Sequence, residues 1–152
     1  MSKVDRGRCL CGGVQFEAHG DRLWVAHCHC HSCRRHTGSP VATFVGYSKE
    51  QVVYTNGDRA FYESSPGVRR GFCARCGTPM TYESDRHPGE IHVYVSTLDE
   101  PDAFSPKLHV FYSERIAWME LEDDLPRFEG LTEGAQPVAW GSRHESVAGT
   151  AE

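Results

Sequence analysis

Long apolar runs are missing from this sequence. No segment approaches the roughly 18 apolar residues of a membrane-spanning helix, so no membrane partner is expected. The opening stretch MSKVDRGRCL has basic residues with no apolar run behind them. That argues against a secretory signal, and the expected location is the cytoplasm, a reducing compartment. Basic charge is also short: 16 Lys and Arg stand against 21 Asp and Glu, for a formal net charge of -5. Without a basic stripe to neutralise phosphates, no nucleic-acid partner is expected. Helical patterning is absent as well, since no window of about a dozen residues keeps a convincing 3.6-residue apolar period. There is no internal repeat beyond the cysteine groups.

What is present suits one globular domain with a real core: 152 residues, 39% hydrophobic and 24% charged. Fifteen Gly and eight Pro cut the chain into short segments. GVQFEAHG alternates Val14, Phe16 and Ala18 against Gln15, Glu17 and His19, the period of a strand. VATFVGY, QVVYTNG, RAFYESS, TPMTYES, IHVYVST and KLHVFYS are also short, rich in Val, Tyr, Phe and Thr, and bounded by turn residues. QVVYTNGDRAFYE reads as a hairpin turning at Asn56-Gly57. LDEPDAF and CRRHTG each suit one helical turn. The expectation is a single all-β domain of small antiparallel sheets over residues 1–133, with zinc knuckles tying its loops. Residues 134–152, rich in Gly, Ser, Ala and Glu, read as a flexible tail. ELEDDLP, residues 120–126, reads as solvated surface. Association into a homo-oligomer is left open.

The seven cysteines carry the chemistry. Cys9, Cys11, Cys28, Cys30, Cys33, Cys73 and Cys76 each lie within three residues of another. An odd count at such spacing is a poor disulfide framework, because a disulfide wants alpha carbons about 5.5 Å apart in a set orientation. Metal ligation fits better. FCARCG is a C-x-x-C knuckle with Gly77 behind it, and RCLCGG a tighter C-x-C with Gly12 and Gly13 behind it. These two pairs would close one four-thiol zinc site. HCHCHSCRRHTGSP would then hold a second zinc through Cys28, Cys30 and Cys33 with a fourth position open, the mark of a site that does chemistry or captures a ligand. Spacing alone leaves another partition, with Cys30 and Cys33 joining Cys73 and Cys76. It also leaves a second site closed by His27, His31 or His36. His29, between two ligands, is expected to point away from the metal into solvent or a supporting position, and His36 is a candidate base. His87, His92, His109 and His144 read as ordinary strand or loop residues.

Laid out this way, the chain resembles the glutathione-dependent formaldehyde-activating family, which also includes centromere protein V. The resemblance rests on the C-x-C at Cys9/Cys11, on HCHCHSCRRHTGSP and on FCARCGTPM. STLDEPDAFSPKLHVFYSERIAWME and DLPRFEG add the pattern of His109, Trp118 and Leu125-Pro126. It implies an all-β tent fold, a structural zinc on Cys9, Cys11, Cys73 and Cys76, and an exchangeable zinc on Cys28, Cys30 and Cys33, the catalytic group. It also implies the family reaction, a carbon–sulfur lyase chemistry joining glutathione, or another small thiol, to formaldehyde or a related small aldehyde. The run of histidines around the second group departs from the pattern. Arg34, Arg35 and His36, with Arg70, are candidates to hold the tripeptide. A zinc-stabilised carrier that binds the thiol without turnover is the alternative. An interaction module like the centromere branch is disfavoured by the net negative charge.

Overall fold

The computed structural model describes residues 3–138. Most of the tail expected to be flexible, residues 139–152, lies outside the described residues, as does His144. The elements run β1 (Val4–Arg8), β2 (Gln15–His19), β3 (Trp24–Cys28), α1 (His31–Thr37), β4 (Ala42–Ser48), β5 (Val52–Asn56), β6 (Ala60–Ser65), β7 (Val68–Phe72), β8 (Pro79–Ser84), β9 (Glu90–Tyr94) and β10 (His109–Val110). Short 3-10 turns fill several connections. The chain is mostly β with small sheets and one short helix, as the patterning implied. Among the described residues no helix is long and apolar enough to cross a membrane.

Contacts divide the chain into two compact units. The first combines the chain up to Val25 with Thr43–Ser105. In it β2 is the middle strand of a three-stranded antiparallel sheet, between β1 and β5. A second antiparallel array runs β4, β9, β8, β7, β6. The period-2 pattern works as expected on β2, where Phe16 and Ala18 are buried and Gln15 exposed. Those two residues join Val45, Tyr47, Met80, Ile91 and Val93 in the core.

The hairpin expected at Asn56-Gly57 does not form. β5 pairs with β2, while β6 pairs with β7 in the other sheet. Asn56 ends β5, and Gly57 takes φ +58 with a Cβ position that would crowd the Gly13 carbonyl oxygen. Residues 57–59 carry the chain from one sheet to the other instead of folding it back.

The second unit combines Ala26–Ala42 with the chain from Pro106 onward. The end of β3 pairs in parallel with β10, His109 opposite His27 and Val110 opposite Cys28. This short parallel pair is an exception to the expected antiparallel pattern. KLHVFYS supplies only those two strand residues, because Phe111 turns to φ 51 and a 3-10 turn follows at Tyr112–Glu114. The helical turn expected in CRRHTG starts two residues earlier, as α1, which ends on Gly38 in the left-handed conformation.

Candidate metal centre

In the first unit, the turn after β1 carries Cys9 and Cys11, and the loop from β7 to β8 carries Cys73 and Cys76. The four sulfurs all lie within 4.8 Å of one another, with Cys9 and Cys11 at 3.5 Å and Cys11 and Cys73 at 3.8 Å. Both turns are held by their own backbone. Cys9 N–H donates to Val14 O at 3.0 Å and Gly77 N–H to Cys73 O at 2.8 Å. Gly77 takes φ +75, a conformation that favours glycine. Leu10 N–H donates to Thr78 Oγ1, which lies 3.1 Å from the Cys76 sulfur. Hydrogen bonding to the Thr78 hydroxyl and backbone lowers the Cys76 thiol to about 5. Cys11 goes the other way: a Gly13 N–H bond lowers it, but the sulfurs of Cys9, Cys76 and Cys73 together push it up to about 11.

In the second unit, Cys28 ends β3, Cys30 caps α1 and Cys33 lies in the helix's first turn. Cys33 N–H donates to Cys30 Sγ at 3.3 Å. The three sulfurs lie within 4.8 Å of one another, Cys28 and Cys33 buried and Cys30 half-buried. Among the described residues no imidazole or carboxylate joins either group. Hydrogen bonding to Cys30 and Cys33, with burial, pushes the Cys28 thiol far up, so a thiolate trio here needs a cation.

The neighbouring histidines are engaged elsewhere. His31 is exposed, with Nδ1 3.2 Å from a Glu114 carboxylate oxygen. His27 packs its ring 4.9 Å from that of His109, and burial, then the nearby His109, lowers it to about 4. His29 is 2% exposed, so of the two positions expected for it, solvent or support, solvent is excluded. Burial, then His109, lowers it to about 3. Its Nε2 lies 2.8 Å from His109 Nδ1, and His109 Nε2 lies 3.1 Å from Asp123 Oδ2. Arg127 donates to Asp123 Oδ1 at 3.1 Å. His109 is fully buried. Neither it nor Asp123 was foreseen in this role: one read as an ordinary strand residue, the other as solvated surface.

Of the residues expected to hold a substrate, Arg34 is committed to the fold. Its Nε donates to His29 O at 3.1 Å and its Nη2 to Glu114 O at 2.9 Å. Arg35 is exposed and His36 half-buried, both in the last turn of α1, where positive charge complements the helix's carbonyl end. Arg70 lies in the first unit, buried, with Nε donating to Ser64 Oγ at 2.9 Å and its guanidinium over the Tyr82 ring.

Converging soft sulfurs, all reduced, suit a thiophilic divalent ion. A mostly β chain with two such groups is, as a class, one that could hold metal ions through cysteine. The chain belongs to the glutathione-dependent formaldehyde-activating enzyme family, whose model matches residues 4–114. It is similar to the crystal structure of a Rhodobacter sphaeroides protein at TM-score 0.55 and 23% identity, over 66% of this chain and 96% of that one, a likeness of fold. No curated protein matches the chain. Asp123 and Arg127 lie beyond the segment matched by the family model.

Proposed function

We propose that both thiol groups bind zinc and that the three-thiol group joins glutathione to formaldehyde, giving S-hydroxymethylglutathione. The observation that carries this reading is a trio of converging sulfurs that, among the described residues, no imidazole or carboxylate joins as a fourth donor, in a chain of this family. Zinc there would supply a Lewis-acidic vertex that keeps an incoming thiol ionised near neutral pH. The chain's part is geometric. The end of β3 and the first turn of α1 hold the three sulfurs on one side, and the His29 ring is tied away from them. Arg35 and His36, on the last turn of α1, are the side chains proposed to hold the tripeptide's carboxylates. In the addition, the glutathione sulfur forms a bond to the carbonyl carbon. The C=O π pair moves onto oxygen, and the proton lost by the thiol ends there. The four-thiol group is structural in this reading, because it ties together segments 62 residues apart.

The test compares adduct formation with zinc-loaded protein against the spontaneous rate, alongside zinc content per chain. Acceleration by the wild type is expected, with zinc falling from two to one per chain in Cys33→Ser and the acceleration lost. Equal rates with and without protein would leave only a thiol carrier.

A further inference from the structure

We infer that His29 and His109, backed by Asp123, are positioning residues that set how tightly the three-thiol loop grips its cation. This rests on the proposed metal role of Cys28, Cys30 and Cys33. Cys28 ends β3, and the ladder bonding runs on through His29, whose N–H donates to Val110 O. Successive side chains in strand backbone leave on opposite sides. If the residue between the two cysteines is fixed on one side, both sulfurs are delivered together to the other. His29 is that residue, and it is held at three points. Its N–H donates to Val110 O at 3.1 Å, its carbonyl accepts from Arg34 Nε at 3.1 Å, and its ring meets His109 at 2.8 Å. The two main-chain bonds fix where the segment runs. The ring bond fixes which way it faces.

The direction of that bond follows from the far end of the chain. The Asp123 carboxylate can only accept, so the proton of His109 is assigned to Nε2. Nδ1 of His109 is then an acceptor, and Nε2–H of His29 is the donor. Asp123 is itself oriented by Arg127 Nη1 at 3.1 Å and by Leu125 N–H at 3.0 Å. The carboxylate thus selects a tautomer two residues away in the relay, as outer partners do for metal-bound imidazoles. Here the output is the aim of two sulfurs instead of the basicity of a ligand. His109 sits opposite His27 in the β3–β10 ladder, which keeps its own backbone in register with the loop it steers.

The test is cobalt(II) titration of metal-free protein under chelator competition, read by thiolate-to-cobalt charge transfer. Wild type is expected to fill two sites in separate steps. His29→Leu is expected to weaken the three-thiol step by about tenfold or more and leave the four-thiol step unchanged. His29→Gln keeps an N–H near the position of Nε2 and is expected to stay within about threefold of wild type. Asp123→Asn, at the more exposed end, is expected to weaken the same step in the same direction. An unchanged three-thiol step in both His29→Leu and Asp123→Asn overturns this inference alone. So does His29→Gln losing as much as His29→Leu, or the two steps falling together in both His29→Leu and Asp123→Asn, which would mark general destabilisation. A wild type that fills one site only overturns the proposed function and this inference with it.

Discussion

Asp5 has little water and many donors. Arg22 meets it with two nitrogens at 3.1 Å, and the Tyr47 hydroxyl donates to it at 2.6 Å. Burial pushes the carboxyl up, but the bonds from Arg22 and Tyr47 outweigh it and hold the group below the usual carboxylate range. Its stabilising effect is therefore complete above the unfolded value near 3.9 and lost as pH falls through the lower folded value. Asp5→Ala leaves Arg22 and Tyr47 without their carboxylate. It is expected to cost about 3 kcal/mol in urea denaturation near pH 7. At Gly77 a Cβ would meet no neighbouring atom, so Gly77→Ala is a clean backbone test. With φ +75 it is expected to cost about 1 kcal/mol by the same measurement. The two thiol pairs and the trio were legible at this scale, because each cysteine has a partner within three residues, whereas the joining of the two pairs spans 62 residues and spacing alone left it open. The His29–His109 contact was not legible. Its members stand 80 residues apart, and each reads alone as a routine histidine.

Elements show where patterning succeeds and where context overrides it. β2, β4 and β8 follow their alternating or aromatic-rich segments. β7 was missed because VRRGF offers two arginines and a glycine where a strand usually shows apolar residues. The paired neighbours explain it: Arg69 reaches Asp85, Arg70 is buried against Ser64 and Tyr82, and Gly71 lies too near Thr81 to carry a side chain. β3 escaped for a related reason, since WVAHC ends in the cysteine-histidine run and β10, one of its ladder partners, lies far along the chain. Across β8 and β9, His92 stacks on its register partner Tyr82 at 5.2 Å and meets the Trp24 ring edge-on at 4.5 Å. Burial lowers it to about 4, against bonding from Glu90 that favours the proton. A neutral buried imidazole stabilises fully above the unfolded value near 6.5, and that stability drains as pH falls from there toward 4. Denaturation midpoints measured across this window are expected to fall less steeply in His92→Phe, which keeps the stack and cannot titrate. Identical slopes in the two proteins would reject this assignment.

At the scale of the whole molecule, the four-thiol group joins the turn after β1 to the loop before β8, so a cation held there would act as a cross-link within the first unit. Metal-binding energy there is folding energy. Stripping both sites is expected to cost several kcal/mol, a fall in Tm of roughly 10 °C or more by calorimetry. Release to a strong chelator is expected in two phases, with the faster phase, from the three-thiol group, absent in Cys33→Ser. The order of the cysteines along the chain has a further effect, on biosynthesis. Five of the seven emerge from the ribosome before Cys73 exists, and the 62 residues separating it from Cys11 take roughly 3 to 12 seconds to translate. During that interval a nascent chain offers its early thiols to any available ion without their eventual companions. Refolding with zinc present from the start is therefore expected to show a slow corrective phase that vanishes when zinc is added after collapse.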